Sequence, residues 1–213
     1  MARAVKRNYD SSGRKEQAAR NRQAVLAAAR ALFLEHGYGA TTMPAVATAA
    51  GVSVETIYKT IGSKPELLKA VLDVAIVGDD EPVPMLERGL VRRVNAEPEP
   101  HRKFAMFGAH MAEAAPRHVP IQLLTKAAAR DDAAAAAVWE QMCKERLTGM
   151  TAFATRLLND KVLRKGVTVE EARDVLWSLQ SPELYEVLVL QRGWEPERYG
   201  RFITQALSAA LLP

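Results

Sequence analysis

The residues best suited to chemistry stand close together between Thr42 and Lys64. Thr42, Ser53, Thr56, Tyr58, Lys59 and Lys64 supply hydroxyl and ammonium groups of the kind that grip phosphate oxygens. Val54, Glu55, Thr56 and Lys59 open a short helical segment, where side chains can reach base edges. Val54 suits a thymine methyl, Glu55 a cytosine amine, and Lys59 a guanine or a phosphate. Plainer roles stay open: Glu55 equally complements a helix N-terminus, and, as the lesser reading, Tyr58 fits the edge of a core. Groups that signal catalysis are dispersed. The histidines His36, His101, His110 and His118 lack metal-ligand spacing, and no Gly-x-Ser-x-Gly turn, Walker-type loop or Cys cluster occurs. No catalytic residue, metal or cofactor is therefore expected, and the chain is not read as an enzyme.

Those side chains need two short helices meeting at a tight turn. Thr42 is placed to cap the first, with Pro44 in its first turn, where a missing N–H costs nothing. Val46, Ala47 and Ala50 give that helix an inner face of small residues. Gly51 ends it, and Ser53 caps a second helix carrying Val54, Ile57, Tyr58 and Ile61. Small residues let the second helix cross the first closely, and its outer face is then free to enter a major groove. The sequence thus predicts a helix-turn-helix over about residues 42 to 61. Upstream, Val25, Ala28, Ala29, Leu32, Phe33 and His36 mark a supporting helix from about Gln17, stopped by Gly37. Downstream, Gly62 closes the second helix. Ser63 and Glu66 form a capping box for a fourth, striped by Leu67, Leu68, Val71, Leu72 and Ala75.

The same residues match a family pattern. Ala28-Ala29-Arg30-Ala31-Leu32-Phe33, His36-Gly37-Tyr38, Thr41-Thr42-Met43, Ala49-Ala50-Gly51-Val52-Ser53, Thr56-Ile57-Tyr58-Lys59 and Ser63-Lys64-x-Glu66-Leu67-Leu68 resemble the TetR family of bacterial regulators. The resemblance is strong over about residues 20 to 72. It implies an all-α chain: a three-helix DNA-binding domain, a connecting fourth helix, and a larger helical domain for ligand and dimer. It also implies that Thr42, Tyr58 and Lys64 contact phosphates. Two positions depart from the pattern. Thr60 replaces the usual aromatic or His and removes a phosphate contact, while Ile61 replaces a Phe and still plugs the core. Farther on, Asp174-Val175-Leu176-Trp177, Ser181-Pro182-Glu183 and Arg192-Gly193-Trp194 echo the dimerising end of some TetR-like proteins.

Charge agrees with a polyanionic partner. Residues 1–69 hold eleven Lys and Arg against five acids, and the remainder is slightly acidic. Arg3, Lys6, Arg7, Arg14 and Lys15 lie in a basic arm over residues 1–16, read either as a groove-reaching arm or as a solvated tail. The DNA-binding domain with its connecting helix is set at 17–78, and the ligand and dimer domain at 79–213. With 48% hydrophobic residues a real core is feasible. A lone Cys143, no leader-like segment and no bilayer-length apolar run lead us to expect a cytoplasmic chain with no membrane partner.

In the C-terminal part, breaks are expected at residues 97–100, Pro116, Pro120 and Gly166. Phe104, Phe107, His110 and Met111 on one helix, with Trp139, Met142, Cys143, Met150 and Phe153 on another, are candidates to line a pocket for a small apolar or amphipathic effector. A stripe of this kind is more often plain core. The segment 184–190 is apolar nearly all round and needs burial on two sides. Trp177, Leu184, Val187, Leu188, Phe202, Ile203, Ala206 and Leu207 are therefore expected at a homodimer interface. The competing reading is a helical adaptor that binds protein and not DNA. A salt-dependent affinity for DNA would separate the two.

Overall fold

The structure, a computed structural model, describes residues 11–213. Arg3, Lys6 and Arg7 of the expected arm lie outside them. Helices account for nearly all regular structure, and no strand occurs among the described residues. The chain forms two compact units, Met1–Val71 and Leu72–Pro213.

In the first unit, α1 (Ser11–Ala40) begins six residues before the expected Gln17 and buries Val25, Leu26, Ala29 and Phe33. Gly37 interrupts it at φ 81°, ψ 164°, a conformation that L side chains avoid. The interruption sets Tyr38 against Phe33, ring centroids 5.8 Å apart. Helix α2 (Met43–Ala50) and helix α3 (Val54–Thr60) both pack on α1. Met43, Val46, Ala47 and Ile57 complete this small core. Helix α4 (Lys64–Val77) contributes Leu67, Leu68 and Val71 to the first unit and runs on into the second.

The second unit holds the rest of α4, a 3-10 turn at Met85–Glu87, and α5 (Gly89–Ala96). These are followed by α6 (Pro100–Ala128), α7 (Ala133–Asn159), α8 (Val169–Leu179), α9 (Pro182–Tyr185) and α10 (Pro196–Leu211). A π-helical turn, Glu186–Gln191, continues α9. Helix α6 is the hub, packing against α5, α7, α9 and α10. Its crossing with α10 is tight because Gly108 and Gly200 meet there: a methyl on Gly108 would run into the Gly200 carbonyl and the Thr204 hydroxyl. Phe104, Met111, Leu157, Leu176, Tyr199, Ile203 and Leu207 fill the core around this crossing.

Two expectations need correction here. Helix α6 does not break at Pro116 or Pro120. Each proline removes one intrahelical hydrogen bond, a cost of about 3 kcal/mol. Ala114, Ala115, Val119 and Ile121 around them are buried, and apolar burial of about 1.5–3 kcal/mol per large side chain offsets the loss. Secondly, Ile203 and Leu207 are fully buried in the chain's own core and offer no surface to a partner copy. No described helix is long and apolar enough to cross a membrane.

Candidate nucleic-acid interface

The turn between α2 and α3 is built as its residue types require. The Thr42 hydroxyl accepts from Ala45 N at 3.2 Å and caps α2. Gly51 ends α2 at φ 67°, ψ 31°, its N–H donating to the Ala47 and Thr48 carbonyls. Ser53 caps α3 by accepting from Thr56 N at 3.1 Å, and its hydroxyl also pairs with the Thr56 hydroxyl at 2.9 Å. Within α3, Ile57 is fully buried, so the opposite side of this two-turn helix must face out. Glu55 and Lys59 are exposed, Val54 and Thr56 are half-buried, and Tyr58 keeps 55% of its surface.

That last value decides how Tyr58 is read. A core-edge aromatic would hide most of its ring, whereas this phenol stands in solvent beside Lys59. Thr60, one of the departures from the family pattern, turns inward: its hydroxyl donates to the Thr56 carbonyl at 2.7 Å. Ile61 is half-buried at the C-cap. Arg22 of α1 donates from Nη1 to the Thr60 carbonyl at 3.2 Å, so a cation meets the negative end of α3. No local pattern could reveal that contact, because its partners are 38 residues apart.

Lys64 is engaged within its own unit. Its ammonium lies 4.3 Å from the Tyr38 ring centroid and 3.3 Å from the Gly39 carbonyl, tying the start of α4 to the turn after α1. The expected Ser63–Glu66 box also takes a different form. Both the Ser63 amide, at 2.7 Å, and its hydroxyl, at 2.8 Å, donate to the Glu66 carboxylate, and these bonds hold the Glu66 carboxyl below its usual range. Thr168 and Glu171 make the full reciprocal box at α8.

The expected effector residues divide into two groups within the second unit. Phe104, Phe107 and Phe153 form an aromatic cluster: Phe107 stacks on Phe153 at 5.7 Å, and Phe104 meets it edge-on at 6.5 Å. Met111 and Met150 pack into the same core. Trp139, Met142 and Cys143 sit farther toward the start of α7, near a polar cluster. There Lys126 pairs with Glu183 and lies 5.9 Å from the Trp139 ring centroid. His118 is buried, bonded through Nδ1 to Gln122 at 3.1 Å, and burial lowers its pKa to about 4. His110 is half-buried and is shifted downward for the same reason. Arg117, next to His118, turns to α4 instead: Nε donates to the Ala75 carbonyl at 2.7 Å and Nη2 to the Ile76 carbonyl at 3.5 Å. Among the described residues no group of His, Cys, Asp or Glu side chains is arranged to hold a metal ion.

Of the expected dimer residues, Trp177, Leu184, Leu188, Phe202 and Ala206 are half-buried. Val187 exposes 46% of its surface and its neighbour Leu190 exposes 54%. The π-helical turn thus carries an apolar outer face.

Residues 25–71, the stretch that carries the sequence resemblance, match the family described as bacterial regulatory proteins, tetR family. No curated protein matches the chain. Solved structures with the same fold include NalD, the secondary repressor of the MexAB-OprM multidrug efflux pump in Pseudomonas aeruginosa. It is 18% identical over 92% of this chain and 98% of its own, with a TM-score of 0.70. SmeT, the repressor of the Stenotrophomonas maltophilia multidrug efflux pump SmeDEF, is 20% identical over 90% of each chain, with a TM-score of 0.65. SmeT is also known in complex with triclosan; that structure covers 91% of this chain and 92% of its own at 20% identity and a TM-score of 0.64. At these identities the likeness is one of fold.

Proposed function

We propose that this chain, with a tetR-type helix-turn-helix domain and the fold of TetR-family transcriptional regulators, is a homodimeric repressor that occupies a palindromic operator until a small molecule releases it. The observation that carries the reading is the outer side of α3. A capped helix, pinned inward by Ile57, presents Tyr58, Lys59, Glu55 and the edge of Thr56 to solvent. Tyr58, Thr42 and the helix N-termini hold phosphates, while Val54, Glu55, Thr56 and Lys59 meet base edges. Lys64 contributes to the phosphate field while holding the turn at Gly39. Two copies of α3, related by a twofold axis through the α8–α10 end, would read half-sites about 34–36 Å apart.

Release by an effector requires that the ligand bind the two forms unequally. Helix α4 suits the coupling, because it is continuous from Lys64 to Val77 and its last carbonyls are held by Arg117 of α6. A ligand that moves α6 therefore moves the grip on α4. NalD and SmeT act as repressors of efflux pumps, and SmeT takes triclosan, which supports a repressor with an amphipathic effector here.

A fluorescence titration of labelled duplex at several salt concentrations tests the reading. The log–log slope is expected to be negative by about 0.9 for each phosphate neutralised, and Lys59→Ala should weaken binding to the preferred sequence by about 1–3 kcal/mol and relax its base preference. A flat salt response would leave the chain with the helical-adaptor reading. Lys59 is the cleaner probe than Lys64, since Lys64→Ala also removes the tie to Tyr38 and Gly39.

A further inference from the structure

Helix α7 carries a cation in its inward stripe. Val138, Met142, Arg146 and Met150 recur every four residues, and the position between two methionines is an arginine. Its guanidinium lies 3.6 Å from the Trp177 ring centroid, and Nη1 donates to the Gln180 carbonyl at 3.1 Å. Among the described residues, Nε is buried without a hydrogen-bond partner and Nη2 makes no hydrogen bond either. Those two nitrogens form the edge that receives a carboxylate side-on through two parallel bonds. No carboxylate among the described residues fills it: the nearby Glu183 is paired with Lys126. The side chains around it are neutral or thinly polar. His118 and Gln122 satisfy each other, and the Gln180 amide makes a weak contact to Met111 Sδ at 3.7 Å while its Oε1 is buried and unpartnered. Turning that amide over would exchange the idle acceptor for a donor.

A half-buried guanidinium with an aromatic behind it and its carboxylate edge bare is costly unless something anionic completes it. We propose that Arg146, backed by Trp177 and flanked by Gln180, is the head-group seat for the carboxylate of an amphipathic monocarboxylic acid. The apolar part of that acid lies along Met142 and Met111. This inference rests on the reading of the second unit as an effector domain and names the chemical class of the effector. It also assigns a role to the charged position in an otherwise apolar stripe.

Isothermal titration of the full-length protein with decanoate and benzoate, each against its neutral counterpart decan-1-ol or benzyl alcohol, tests it without DNA. At least one acid should bind once per chain, with its matched alcohol weaker by roughly ten- to a hundredfold. Arg146→Met, which keeps the length of the stem, should reduce the acid to the alcohol's affinity while the circular-dichroism melt stays cooperative. Should that variant fail to fold, Gln180→Glu decides. It places a carboxylate beside the guanidinium and should abolish acid binding while raising the melting temperature. Alcohols binding as well as the acids would overturn the head-group seat and leave the effector reading standing. If neither acid binds, the seat is likewise refuted, and if none of the four binds or releases DNA in a gel shift, the effector reading fails with it.

Discussion

At the scale of single residues, exposure and hydrogen bonding separate side chains that look alike in the sequence. Tyr38 and Tyr58 lie in the same small domain, yet one is buried against Phe33 and the other stands in solvent. Tyr58→Phe should therefore weaken DNA binding by about 1 kcal/mol, the net worth of one hydrogen bond, and leave the melting temperature unchanged. Paired titration and thermal melts of the two proteins check this. His118 gives a prediction of the opposite kind. Burial lowers its pKa from 6.5 to about 4, so between those values the unfolded chain binds the extra proton. Stability is then fully present above about pH 6.5 and falls as pH drops toward 4, by the order of 2–3 kcal/mol from this residue. Urea melts of wild type and His118→Gln across that range should differ in slope; parallel curves would mean that the imidazole titrates normally. The caps Thr42, Ser53 and Thr168 were legible in the sequence because a hydroxyl before a helix has a local job. Arg22 and Arg117 were legible only as charge, since their partners lie 38 and 42 residues away.

At the scale of elements, local signals succeeded where packing agreed with them. The period of Val25, Ala29 and Phe33, the Gly51 turn and the Ser53 cap all point to the same helix boundaries that the fold adopts. Ser53→Ala should cost about 1 kcal/mol, because the cap bond to Thr56 N is lost from a helix of only seven residues. Where packing opposed the local signal, packing won, and Pro116 and Pro120 inside α6 are the clearest instance. The close approach of α6 and α10 was invisible beforehand, since nothing in the sequence pairs Gly108 with Gly200. Gly108→Ala should destabilise by about 1–3 kcal/mol, more than a solvent-facing substitution such as Gly149→Ala, where an added methyl meets nothing within 4 Å. Denaturant melts of the two variants give the comparison. For the π-helical turn the sequence predicts only a helix; its extra width follows from longer-range hydrogen bonds that apolar composition alone does not encode.

At the scale of the whole molecule, the proposed DNA-reading helix and the proposed effector and dimer surfaces differ in how far sequence could reach. The first is a short contiguous stretch whose spacing is itself the signal. The second is spread over α6 to α10, and stripes such as Phe104-Phe107-Met111 resolve into core once the helices are packed. Ile203 and Leu207 illustrate the loss, being inward where an interface was expected. Val187 and Leu190 both face outward on the π-helical turn, so on the proposed dimer Val187→Glu with Leu190→Glu should shift sedimentation velocity from dimer to monomer without a loss of helix content. A monomer would keep its salt-dependent grip on DNA and lose most of its preference for a symmetric site.

Selection of bound duplexes from a random pool by the full-length protein addresses both halves of the proposal together. The enriched sequences should contain an inverted repeat with half-site centres about one helical turn apart, and Thr56 or Lys59 variants should change the preferred bases within each half. A pool that remains random, or an enriched site without twofold symmetry, would contradict a paired α3 as the reader of DNA.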